Sequence, residues 1–225
     1  MAYILFDKIF ILIYIAYYGK IKQIILTKIF LKRRLSKIIF INQIYIGGNS
    51  MNNLVILYQS KYGFTKKYAD WLSEELFCDV VETRHADIAK IRQYDIIVLG
   101  GGIYAGGIAG ISFIIKHYDK LKDKKIIVFA VGASPYDEKA MNELRNRHFK
   151  NDMAKISCFY CRGGWNEDIM SLKDRVLCNM LKKAVSKKDP NTYKPWEKAL
   201  IDAIGSNYDW TSKENIMPII EMIRG

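Results

Sequence analysis

The chain has 225 residues, enough to bury one good core with room for an appendage. Half of the residues are apolar, which excludes a disordered chain, and four cysteines without a secretory context point to a reducing cytosol rather than a disulfide framework. The net charge of +12 is uneven: residues 1 to 50 hold eight Lys or Arg against one acid (Asp7), so the remainder is only mildly basic.

Residues 1 to 50 differ in character from the rest of the chain. Fourteen are Ile and none is Pro, and apolar runs at 9 to 18 and 38 to 46 are broken by Lys20, Lys22, Lys28 and Lys32-Arg33-Arg34. No run reaches the roughly 20 apolar residues that span a bilayer. No clear basic start or small-residue cleavage site marks a signal peptide. Two readings account for the segment. Gly47-Gly48-Asn49-Ser50-Met51 fits, at the level of codons, a ribosome-binding site ahead of a start, and translated AT-rich DNA yields Ile, Lys, Tyr and Asn. This favours Met51 as the start of the protein proper. The other reading is a basic segment lying on a membrane surface. Either way the folded domain is expected over 51 to 225.

From there the chain alternates. Leu54 to Tyr58 form a short apolar run suited to a strand buried on both faces. A helical pattern follows from Lys66, with Tyr68, Ala69, Leu72 and Leu76 on one side. Asp79-Val-Val-Glu82 is a second strand, followed by a short helical piece near Asp87 to Ile91. Tyr94 to Gly100 is a third strand, running into a glycine-rich loop and an apolar helix from about Ile108 to Tyr118. Lys125 to Val131 is the fourth strand, and a helix is predicted from Asp137 to about Phe149. Ile156 to Tyr160 is the fifth strand, and a basic amphipathic helix covers Lys173 to Lys187. Such alternation predicts a doubly wound parallel α/β sheet with helices on both faces. Ligands of such sheets sit beyond the carboxyl ends of the strands, so the loops after strands one, three and four carry the candidate site.

The first loop is Ser60-Lys61-Tyr62-Gly63-Phe64-Thr65. Strand, tight loop and helix together aim backbone N–H groups and the positive end of a helix dipole at one point. Ser60 and Thr65 add hydroxyls, and Gly63 permits close approach. The competing reading is an ordinary strand-to-helix turn. There is no Gly-x-x-x-x-Gly-Lys-Ser/Thr, which excludes a nucleoside triphosphatase loop. Gly100-Gly101-Gly102-Ile103-Tyr104-Ala105 fits a dinucleotide fingerprint, but it sits on the wrong strand and the next strand ends without a ribose-binding acid.

The first loop resembles the phosphate loop of flavodoxins, departing from it only where Tyr62 replaces a hydroxyl residue. With Gly101-Gly-Ile-Tyr-Ala-Gly106 and Gly132-Ala133-Ser134-Pro-Tyr136, the chain is similar to the flavodoxin family from about Leu54 to Ile223. The resemblance implies a flavodoxin-like five-stranded parallel sheet of order 2-1-3-4-5 and an FMN cofactor. Residues 60 to 65 would hold the FMN phosphate. Gly101, Gly102, Ile103, Tyr104, Ala105, Gly106 and Gly107 would form one flavin loop, and Gly132, Ala133, Ser134 and Tyr136 the other. Tyr104 and Tyr136 would stack on the ring, the competing reading being that both are surface turn residues. A peptide at Gly106 or Gly107 would flip toward flavin N5. Arg162-Gly-Gly-Trp165, the basic helix at 175 to 183 and the tail Gly205-Ser-Asn-Tyr-Asp209 look like the menaquinone-dependent protoporphyrinogen IX dehydrogenase branch. That branch's long insert has only residues 137 to 155 in its place.

The expected function is therefore that of an FMN-dependent oxidoreductase or electron carrier. The alternatives are a quinone-dependent protoporphyrinogen dehydrogenase and a cofactor-free interaction module. Lys61, Lys66 and Lys67 would raise the flavin potential and suit a quinone acceptor, unless they are merely a solvated face. The expected partners are a redox protein or quinone, with peripheral membrane association at the inner face; the cluster Arg145-Asn-Arg-His-Phe-Lys150 lacks the features of a nucleic-acid module. Cys158-Phe-Tyr-Cys161 reads as incidental thiols, and three scattered histidines give no metal cluster.

Overall fold

The computed structural model describes residues 53–225. The expectations for residues 1 to 50, and for Met51 as a start, lie outside them. The described elements are β1 (Leu54–Gln59), α1 (Phe64–Leu76), β2 (Asp79–Glu82), α2 (Ile88–Ile91), β3 (Ile96–Tyr104), β4 (Gly107–Ile108), α3 (Ile111–His117) and β5 (Lys125–Gly132). They continue as α4 (Glu138–His148), β6 (Ser157–Arg162), β7 (Gly164–Asn166), α5 (Leu172–Val185), α6 (Pro195–Ala203), β8 (Asn207–Asp209) and α7 (Met217–Arg224).

Five strands pair in parallel in the order β2-β1-β3-β5-β6, the order that the resemblance implies. Alternate side chains feed two cores. Val55, Leu57, Ile97, Leu99 and Val128 face α3 and α4, meeting Ile114, Met141 and Leu144. Leu54, Ile56, Val98, Ile127 and Phe129 face α1 and α7, meeting Leu72, Ile219 and Ile223. Each fully buried Leu or Ile contributes about 2 kcal/mol. Helix starts follow local chemistry: the Asp87 and Asp137 side chains accept from Ala89 N–H (2.9 Å) and Ala140 N–H (2.7 Å).

The closing helix is pinned through Tyr68. This buried phenol donates to the Arg162 carbonyl (2.6 Å) and accepts from Ser212 N–H (3.1 Å) and Asn215 Nδ2 (2.7 Å). The polar tip of one core residue thereby ties α1, β6 and the segment leading into α7.

Three features differ from the sequence reading. Gly101 and Gly102, read as the start of a loop, continue the strand: β3 pairs with β5 as far as Gly102 and Val131. Glycine is required there because a Cβ at Gly100 would lie 2.1 Å from Phe129 Cζ, and one at Gly101 2.2 Å from the Ala109 carbonyl. Next, Gly164, Trp165 and Asn166 pair antiparallel with Asp209, Tyr208 and Asn207, making a two-stranded ribbon from two tracts far apart in the chain. Finally, α6 and α7 occupy stretches for which no helix was predicted. The Cys158 and Cys161 thiols are free and belong to opposite cores, so their spacing is not a redox pair. Burial pushes them up to about 11 and about 12.

Candidate functional site

Gly63 caps α1 in the left-handed region (φ 89°), which redirects the chain from β1 into the helix. Its N–H donates to Ser60 Oγ (3.0 Å), closing the loop on itself. The first N–H groups of α1 have no intrahelical acceptor and carry the positive end of the dipole. No acidic residue stands in the first turn of α1, and Thr65 is buried there. The ribbon covers this loop closely: a Cβ at Gly164 would lie 2.3 Å from the Phe64 ring.

The second loop is a tight hairpin. Tyr104 pairs with Gly107 and Ile103 with Ile108, leaving a two-residue turn at Ala105 (φ 47°) and Gly106 (φ 72°). Positive φ at both positions is the type I′ geometry. Of the two glycines expected to supply positive φ, Gly106 does so. Arg147 of α4 packs on the turn, its Nη1 2.8 Å from where a Gly106 Cβ would stand. His148 Nε2 accepts from Ile108 N–H (3.3 Å), a bond that only the neutral ring makes. Burial, then the adjacent Arg147, lower its pKa.

Tyr104 turns inward over Gly102, whose Cβ would meet its ring at 2.6 Å. Its ring meets Tyr62 edge-on at 6.4 Å. Burial raises the phenol pKa, while the neighbouring Lys61 amide acts in the opposite direction. In the third loop the Tyr160 hydroxyl donates to the Ser134 carbonyl, and Arg162 Nε donates to the Ala133 carbonyl (3.3 Å). Arg162 is itself stacked on Trp210 at 4.3 Å.

The carboxyl ends of β1, β3 and β5 open into one cavity of about 910 Å³. All three loops line it, with the helices α4, α5 and α6. The family described as the flavodoxin domain matches residues 55–192. This chain belongs to the flavodoxin-domain family. No curated protein resembles it closely enough to count as a match. Among solved structures, a Bacillus subtilis Trp repressor binding protein is 17% identical over 52% of this chain and 88% of its own, with a TM-score of 0.42. A Megasphaera elsdenii flavodoxin is 17% identical over 48% and 82% (TM-score 0.37). A Lactobacillus acidophilus flavoprotein in complex with FMN is 22% identical over 49% and 92% (TM-score 0.33).

In this flavodoxin domain most of the residues singled out from sequence share the cavity wall. Ser60, Lys61, Tyr62, Phe64 and Thr65 line it from the first loop, Gly102 to Gly106 from the second, and Gly132, Ala133 and Ser134 from the third. Gly63, Gly101 and Gly107 are not among the residues that line it. Tyr136 is 63% exposed and packs against Tyr160 at 6.0 Å, outside the cavity lining, although its neighbours Pro135 and Asp137 belong to it.

The departure at Tyr62 has a structural consequence. Its hydroxyl and Lys61 Nζ both donate to the Asp174 carboxylate, and Ser171 N–H donates back to the Tyr62 hydroxyl (3.3 Å). These hydrogen bonds hold the Asp174 pKa down, and the same ion pair raises that of Lys61. Where a shorter hydroxyl would face only the loop, Tyr62 reaches across to the first turn of α5. The sequence reading missed Asp174 because its partner is 112 residues away. The one available signal was an acid in the first turn of a basic helix.

The lysines around the loop are each paired: Lys61 with Asp174, Lys66 with Asp70 (2.6 Å) and Lys67 with Asp209 (2.7 Å). Their net field is smaller than their number suggests. Among the described residues no group of three His, Cys, Asp or Glu could hold a metal ion. No helix among them is long and apolar enough to cross a membrane.

Proposed function

We propose that this domain binds FMN and works as an oxidoreductase or electron carrier. The supporting observation is the convergence of three loops on one cavity, with an unpaired helix N-terminus at one end and aromatic and apolar walls along the rest. The residues suit the group. The amides at the start of α1 and the Thr65 hydroxyl would hold the terminal phosphate. Tyr104 would bear on the ring face. The Ala105 and Gly106 turn would present backbone groups to the ring edge. FMN, when bound, supplies one- and two-electron chemistry that side chains lack. The chain's own work is to bind, orient and exclude water, and no side-chain acid or base is assigned. The test is reconstitution of the full-length protein: a yellow product, flavin absorbance at one equivalent and release of a cofactor with the mass of FMN are expected. A colourless protein that takes up no flavin contradicts the proposal.

A second reading is supported by the extent of the cavity. Beyond the three loops it continues to Leu177 and Leu181 of α5 and Trp196 and Leu200 of α6. Such an apolar extension suits a second flat apolar molecule beside the flavin. It favours a quinone as electron acceptor and a porphyrinogen as donor. Porphyrin fluorescence on adding protoporphyrinogen and a quinone to the flavin-loaded protein is the expected result. Oxidation no faster than without protein rejects it.

A further inference from the structure

Helix α5 carries a face that the fold leaves open. Leu172, Val176 and Met180 recur every fourth residue and are 78%, 58% and 62% exposed. With Ala184 they trace a stripe over an arc of roughly 120°. Lys173 and Lys183 stand along the same arc, and Lys187 continues it just past the helix end; all three are exposed. Among the described residues no carboxylate pairs with any of them. The acid of this helix, Asp174, faces the other way, toward Lys61 and Tyr62. The open arc is therefore apolar and cationic with no acid in it.

Exposed apolar residues are ordinary singly but not as a contiguous stripe. The chemistry of this one selects its occupant. Protein interface cores are depleted in Lys and use Arg. Lysines alternating with Leu, Val and Met on one helical face match a helix lying at a bilayer surface. There the apolar side chains enter the acyl boundary, and the ammonium groups reach phosphates on flexible stems. We propose that α5 docks this domain on an anionic bilayer surface, in the plane of the headgroups, with Leu172, Val176 and Met180 inserted. This inference does not depend on FMN binding. Its consequence for the site is geometric: Leu177 and Leu181 belong both to α5 and to the cavity wall, so the apolar end of the cavity adjoins the docked face.

The test uses the full-length protein and sedimentation with vesicles of phosphatidylcholine, alone or mixed with phosphatidylglycerol. Residues 1 to 50 are common to every sample, so differences report on the substituted faces. Lys173→Glu/Lys183→Glu/Lys187→Glu removes the cations, and Leu172→Ser/Val176→Ser/Met180→Ser removes the apolar stripe. Lys116→Glu/Lys120→Glu/Lys122→Glu makes the same charge change at exposed positions elsewhere. The wild type is expected to partition onto anionic vesicles and not onto neutral ones. The α5 lysine variant should lose on the order of a hundredfold in partition. The α5 serine variant should lose at least about tenfold, and the control should stay within about threefold of wild type, all with unchanged circular dichroism. The proposal is overturned if the α5 variants and the control partition alike. It is overturned equally if the wild type stays in the supernatant, which would leave this face to an acidic protein.

Discussion

The two walls of the cavity are held in place by different means. The Ser60 to Thr65 loop leaves β1, whose first four residues are buried, and enters α1, which buries Thr65, Tyr68, Ala69 and Leu72. Across the cavity, α5 buries only Val185 of its 14 residues. Apart from packing beside α6, it is held by polar contacts: Asp174 to Lys61 and Tyr62, and Arg175 Nη2 to the Glu167 carbonyl (2.5 Å). Burial fixes one wall against the sheet, whereas partly exposed ion pairs add little and leave the other wall with low local stability. A loop fixed by burial facing a loosely attached helix is an arrangement in which one wall holds its shape and the other adapts.

That contrast can be broken at four places. The largest effect is expected on the fixed wall: Gly100→Ala, which drives a Cβ against Phe129, should lower stability by about 3 kcal/mol in urea unfolding. Tyr68→Phe, which leaves Ser212 N–H and Asn215 Nδ2 without their acceptor, should cost about 2 kcal/mol in the same assay. On the loose wall, Asp174→Asn should change stability by less than about 1 kcal/mol. It should speed hydrogen exchange in α5 and tighten FMN binding by roughly fivefold in a fluorescence titration, since a carboxylate is removed beside the loop proposed to hold the phosphate and Lys61 is freed.

The smallest effect is a pH dependence. His148 has its folded pKa below its ordinary 6.5, so the unfolded chain binds its proton more readily. Its contribution is fully present above about pH 6.5 and is lost as pH falls through the lower folded value. The slope should be under about 1 kcal/mol across that window, measured by urea unfolding at a series of pH values. His148→Gln should flatten it.

The sheet was legible because its strands are short apolar runs with polar breaks, and buried parallel strands leave that pattern. The turn from β1 into α1 was legible because Gly63 and two hydroxyls sit between such a run and a helical period. What escaped depends on distant partners. Gly101 and Gly102 read as a loop because glycine is a turn signal, yet each is small to admit the Ala109 carbonyl or the Tyr104 ring. The ribbon of β7 and β8 joins residues more than forty positions apart, three on each strand, too short for a period to register. The lysines around the loop suggested a positive site, but Asp174 and Asp209, the partners of Lys61 and Lys67, lie over a hundred positions away. Tyr136 matched a stacking position by motif, and the structure sets it outside the cavity lining.

The most direct test is a paired titration of the full-length protein with FMN and with riboflavin, followed by quenching of flavin fluorescence. If the start of α1 grips a phosphate while the other two loops enclose the ring, FMN should bind at one equivalent and riboflavin about a hundredfold more weakly. Equal affinity for the two flavins, or no quenching by either, would contradict the account.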